Sequence, residues 1–273
     1  MTTADTDPRA LASLLAFWAE SGVTASYEET PVDRMAEGRK RLQAPRQPKP
    51  AGIQSQPLIQ PNLGAGVSPE LAHAVGEAQR MAGEATTLEA LEAAIAAFDG
   101  CALKFSGASR AVFARGTPGA PVMIIGEGPG AEEDATGAPF VGRAGKLLDR
   151  MVAAAGLDGQ VFITNTVFWR PPGNRTPSTQ EQAACAPFLE RAIVLAQPQV
   201  LLLVGAASAK SILKRAEGIL SLRGKWFEWH AEHTSLSLPA LPTLHPAFLL
   251  RQPQAKKKAW MDLMSLTERL AVG

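Results

Sequence analysis

Two stretches far apart in the chain carry the residue types that chemistry on a flat polar ring requires. The first is Gly126-Glu127-Gly128-Pro129-Gly130 with Pro139-Phe140-Val141-Gly142 behind it, and the second is Leu244-His245-Pro246-Ala247-Phe248-Leu249-Leu250-Arg251. Glycines let a ligand approach the backbone closely, and their free amides donate to its oxygens. An aromatic face, a carboxylate and a histidine complete the parts needed to hold such a ring and cut it loose. A dinucleotide loop is a poor match. The spacing is Gly-x-Gly-x-Gly, Pro129 removes an amide donor, and no acidic residue closes a second strand about twenty residues on.

Alternating strands and helices must position these stretches. Pro121–Ile125 reads as a strand bounded by glycines, followed by strands at Val161–Asn165, Val200–Val204 and Ala240–Leu244, with a short one at Trp226–Trp229. Between and around them, apolar periodicity predicts helices near 145–155, 179–195, 207–214 and 253–270. Ser68-Pro69-Glu70 opens an earlier helix as an N-cap with proline at the first helical position, and Thr86-Thr87-Leu88-Glu89 opens another. Apolar strands alternating with helices predict a three-layer α/β/α fold around a central, mainly parallel sheet of about four strands. Ligands in such sheets sit at the carboxyl ends of the strands, where Gly126, Asn165, Gly205 and His245 all fall. Glu132, Glu133 and Asp134 read as a solvated charge run.

Composition bounds the rest. Apolar residues make up 46% of 273, enough for a core, and the longest apolar run, Val200 to Ala207, is short against the ~20 residues of a bilayer span. Neither a membrane segment nor a secretory signal is expected, so the reading is cytoplasmic. Residues 1–37 read as an N-terminal helical extension, 38–67 as a Pro/Gln-rich linker, and 68–273 as the main domain. A net charge of +1 gives no global attraction to a polyanion, so affinity for nucleic acid must come from a local patch. Two cysteines, Cys101 and Cys185, argue against a disulfide framework.

Four segments in order then carry a resemblance. They are Gly126 to Asp134 with Gly137 to Leu148; Ile163-Thr164-Asn165 with Arg170-Pro171-Pro172-Gly173-Asn174-Arg175; Leu222-Arg223-Gly224-Lys225; and His245-Pro246-Ala247. Together they resemble the uracil-DNA glycosylase superfamily, closest to its bacterial and archaeal iron–sulfur type, called family 4. The resemblance implies a monofunctional DNA repair enzyme that flips uracil out of DNA and hydrolyses its N-glycosidic bond, leaving an abasic site. It implies that Phe140 stacks on the flipped ring, with Gly126 and Gly128 allowing close approach. Asn165 matches the O4 and N3–H edge of uracil and mismatches the amino group of cytosine. His245 donates to O2 of the departing uracil anion. Glu127 orients the attacking water or offsets charge on the sugar, although Gly128 stands where the best-known family has an aspartate. Arg223, Lys225 and Arg251 are the implied phosphate contacts, and Leu249 the implied wedge in the base stack.

The iron–sulfur relatives hold a four-iron cluster on four cysteines. Aligned motif by motif, those positions fall on Phe98, Cys101, Trp169 and Cys185, and two thiolates do not complete such a site. No cofactor is therefore expected; a 4Fe-4S cluster is the alternative, and Cys101 and Cys185 should face each other. The partner expected is uracil-containing DNA, engaged by a monomer, with a repair or replication partner for the N-terminal extension. Two other readings remain: a non-catalytic uracil- or lesion-binding DNA protein, and a small-nucleotide-binding α/β enzyme.

Overall fold

The computed structural model describes residues 68–272. The expected helical extension (1–37) and linker (38–67) lie outside the described residues. Two helices come first: α1 (Pro69–Glu84), where Ser68 Oγ accepts from Leu71 N at 3.2 Å, and α2 (Leu88–Ala97), where Thr87 Oγ1 accepts from Ala90 N at 3.1 Å. These bonds satisfy amide donors that a helix start leaves free. A 3-10 turn, Ala102–Phe105, leads into β1 (Ala114–Gly116), β2 (Val122–Gly126), α3 (Ala131–Thr136), α4 (Arg143–Ala154) and β3 (Val161–Asn165). The chain continues through α5 (Thr179–Ala196), β4 (Val200–Val204), α6 (Ala206–Leu213), α7 (Ile219–Leu222), β5 (Phe227–His230), β6 (Ser237–Thr243), α8 (Pro246–Arg251) and α9 (Lys256–Val272).

The strands form one sheet in the order β1-β3-β2-β4-β6-β5. Its four inner strands are parallel, as the sequence predicts, and its two edges, β1 and β5, are antiparallel. Strand alternation sorts the core into two layers. Met123, Ile125, Leu201 and Leu203 pack with α1, α2 and α5, while Val122, Ile124, Val200, Leu202 and Val204 pack with Leu148 of α4 and Leu263 and Leu266 of α9. Every residue of β2, β3 and β4 is buried, which is why these strands read as apolar runs rather than alternating ones.

Register fixes the site. Gly126 lies opposite Asn165 across β2 and β3, and Val204 lies opposite Thr243 across β4 and β6. Gly126, Asn165, Gly205 and His245 therefore end neighbouring strands at one edge. Among the described residues, no helix is long and apolar enough to cross a membrane.

Candidate active site

The floor of the site is the pair Gly126 and Asn165. A Cβ on Gly126 would stand 2.4 Å from Asn165 Oδ1 and 2.5 Å from the Phe140 ring, so only glycine leaves the amide and the ring their places. Asn165 is buried, yet neither its Oδ1 nor its Nδ2 has a hydrogen-bond partner. An unpaired buried polar group costs about 1–3 kcal/mol. The described residues supply no partner for either atom at this strand end.

Phe140 is held from behind. Its backbone is left-handed, with φ 55, a conformation that few residues other than glycine adopt. Three contacts impose it. Arg115 of β1 donates through Nε to Pro139 O at 2.7 Å and through Nη2 to Phe140 O at 3.1 Å, and also pairs with Asp149. The Phe140 carbonyl lies on Gly145, where a Cβ would come within 1.6 Å of it. Glu133 Oε1 accepts from both Val141 N and Gly142 N at 3.0 Å, while its Oε2 accepts from Gly130 N at 3.0 Å. One carboxylate thus ties both glycine-rich segments together.

The acidic run is accordingly not a solvated face. Glu132 is exposed, but Glu133 is half-buried and Asp134 is buried, accepting from Ser109 N at 2.8 Å and Ser109 Oγ at 3.0 Å. The backbone amides of the loops, together with the Ser109 hydroxyl, replace the water these carboxylates would otherwise need.

His245 caps α8, its Nδ1 accepting from Ala247 N at 3.2 Å. With Nδ1 an acceptor, the neutral ring carries its proton on Nε2, which makes Nε2 the donor. The ring rests on Gly205, whose φ of +96 and missing side chain open the place, since a Cβ there would meet His245 Cβ at 3.1 Å. Its centroid is 5.7 Å from that of Phe140, with 31° between the planes. Burial, then the Arg251 guanidinium, push the pKa of His245 down to about 4, against the pull of Glu133. The ring is neutral at physiological pH.

Phe140 and His245 line a cleft of about 540 Å³ whose wall also includes Glu127, Pro171, Phe248 and Arg251, with Gly126 and Asn165 behind the Phe140 ring. That size suits a small ring with its sugar. Glu127 is half-buried on the wall, and its backbone carbonyl accepts from Thr166 Oγ1 at 2.6 Å, which fixes the segment. Gly128 lines the wall beside it, with Val167 close behind.

Two expected DNA contacts are corrected. Leu249 is 0% exposed, packed with Leu244, Ala259, Leu147 and Met151, because the segment after His245 coils into α8 and turns that side chain onto α4 and α9. It is a core residue; its neighbour Phe248 is half-buried at the cleft and Leu250 is exposed. Arg223 is a structural ion-pair residue: its guanidinium donates to Asp262 through Nε at 3.0 Å and through Nη2, and Nη2 also donates to Lys258 O. Asp262 is buried and accepts from Thr243 Oγ1 as well, at 2.7 Å. Arg251 is exposed at the cleft mouth, whereas Lys225 is exposed but outside the lining. Sequence reasoning missed Arg115, Glu133 and Phe248. For Glu133 a signal existed, since an acidic residue three positions after the residue that precedes a helix marks a capped start.

Comparison with known proteins places the chain in a family. The family described as the Uracil DNA glycosylase superfamily matches residues 113–264. A type-4 uracil-DNA glycosylase of Sulfurisphaera tokodaii is 39% identical over 166 residues, covering 59% of this chain and 74% of the relative. One from Pyrobaculum aerophilum is 41% identical over 147 residues, covering 52% and 74%. One from Thermotoga maritima is 41% identical over 132 residues, covering 48% and 66%. With the site at the strand ends and the family match spanning all six strands, the chain belongs to the uracil-DNA glycosylase superfamily.

Proposed function

We propose that the cleft takes uracil flipped out of DNA and hydrolyses its N-glycosidic bond, leaving an abasic site for base excision repair. The unpaired, buried amide of Asn165 carries this reading: it offers one acceptor and one donor, the complement of uracil N3–H and O4. Cytosine presents an amino group and an unprotonated N3 at the same places, so the amide meets like with like. Phe140 supplies the stacking face. Base–aromatic stacking is worth about 1–3 kcal/mol, enough to offset much of the few kcal/mol that flipping costs.

As the C1′–N1 bond lengthens, its electron pair moves onto the base, and negative charge collects on O2. Neutral His245 donates through Nε2 to that oxygen, a role suited to a fixed donor rather than a strong acid. Glu127, on the wall of the same cleft, holds the water that adds to C1′ and accepts its proton, and its charge offsets the cationic sugar. Arg251 at the mouth and Lys225 beyond it bind phosphates on either side of the flipped nucleotide.

The test is single-turnover excision on an oligonucleotide with one uracil, read by alkaline cleavage. Cleavage at uracil and none at cytosine is expected. Tight binding of the oligonucleotide without cleavage would point to a non-catalytic binder instead.

A further inference from the structure

The family resemblance implies a four-cysteine iron–sulfur cluster in the layer formed by α1, α2 and α5, so its fit can be judged on the residues that stand there. Two of the four ligand positions meet, and the other two lie in the same core layer. Cys185 Sγ lies 3.8 Å from Cys101 Sγ across 84 residues of sequence, and both thiols are buried. Phe98 and Trp169, at the other two positions, belong to the same core cluster and are 0% and 1% exposed. Phe98 packs edge-on against Phe188 with centroids 5.1 Å apart, Phe168 meets Phe188 at 6.5 Å, and Trp169 meets Phe168 at 6.4 Å.

The surroundings fit the rings. A Cβ on Gly100 would stand 2.4 Å from Phe98 Cζ and 2.9 Å from Ala74 Cβ, so the glycine and the alanine of α1 make room for the phenylalanine. The nearby carboxylate, Glu181, is committed to Arg175 and to the backbone of Ser178. Among the described residues, no three His, Cys, Asp or Glu side chains are grouped to hold a metal. Two thiols, a phenyl ring and an indole do not make a Cys₄ site.

We propose that this chain keeps the glycosylase fold without an iron–sulfur cluster: the packed rings of Phe98, Trp169, Phe168 and Phe188 join the N-terminal helices to α5 and the sheet. Cys101 and Cys185 remain as an interior dithiol with no ligand to hold. A cluster ties helices together by covalent bonds through its irons. Aromatic side chains burying about 150–250 Å² each do the same by dispersion and water exclusion, with no dependence on iron supply or redox state. The inference rests on family membership and on the packing, and it stands or falls separately from the catalytic reading above.

The full-length protein, expressed in iron-supplemented cells and purified without oxygen, tests it through iron and sulfide content and visible absorbance. Substoichiometric iron, no iron–sulfur absorbance and a melting temperature unchanged by a chelator are the expected results. The Cys101→Ala/Cys185→Ala variant should retain uracil excision within about twofold, since it removes no group at the reacting atoms. Phe98→Ala should lower the melting temperature by more than the double cysteine change. About four irons per chain, or melting that falls on chelation, would overturn the proposal. Should the double variant fail to fold, the iron content of the unaltered protein decides.

Discussion

His245 carries a prediction that separates two ways of helping a base depart. Its pKa stands at about 4 against an ordinary 6.5, so at pH 7 about one ring in 10³ is protonated. If the neutral ring is the donor, the single-turnover rate should owe no dependence on pH to this group between pH 6 and 8, and should fall only toward pH 4. His245→Ala should lower the rate about 10²–10³-fold across that range, the loss of one preorganised donor worth about 2.7–4 kcal/mol. Stability follows the same titration. The unfolded ring takes up a proton near pH 6.5 and the folded ring only near pH 4, so stability is full above pH 6.5 and declines as pH falls through that window. At 1.36 kcal/mol per unit, the total is about 3 kcal/mol, and it should be missing from the acid limb of His245→Ala in denaturant melts. A rate that drops tenfold per unit as pH rises from 5 to 8 would mean that the cation is the active form. That result, or an alanine variant within twofold of the unaltered protein, would refute the leaving-group role.

Asn165→Asp should lower uracil excision about 10²-fold, as a buried hydrogen bond worth about 1–3 kcal/mol becomes repulsion at O4, while cytosine cleavage appears in the same gel assay. Gly126→Ala places a methyl within 2.5 Å of both the amide and the Phe140 ring, so excision should drop about 10²-fold with the circular dichroism spectrum unchanged. Glu133→Gln should lower kcat more than it raises KM, because the charge that ties three loop amides is gone; its acid limb should also move to lower pH, since Glu133 holds the His245 pKa up. Arg223→Met should cost about 3–5 kcal/mol in chemical denaturation by leaving Asp262 unpaired, with the salt dependence of DNA binding untouched, whereas Arg251→Ala should reduce that salt slope by about one.

The four parallel strands were legible in the sequence because each is an apolar run bounded by glycine, proline or a polar turn. The helices opened by Ser68 and Thr87 were legible from their caps, whereas the capped start of α3 and the His245 cap of α8 were not. β1 was not: three residues show no periodicity, and Arg115 becomes informative only when the β1–β3 pairing carries it under the Phe140 loop. Charge misled twice. Asp134 and Arg223 look like surface residues until their partners, Ser109 and Asp262, arrive from 25 and 39 residues away. Leu249 failed in the opposite sense. The run Phe248-Leu249-Leu250 gives no sign of which residue points inward, and only the six-residue helix α8 decides it. Gly126, Phe140, Asn165 and His245 were legible through the four family motifs that carry them, and the register of the parallel strands brings them to neighbouring strand ends.

The scaffolding behind Phe140 has a consequence after the bond is cut. Arg115, Gly145 and Glu133 fix the ring before any base arrives, so little conformational entropy remains to be lost on binding. A cavity shaped in advance for an extruded base fits the same base once it is free. Released uracil should therefore linger, slowing turnover by product inhibition.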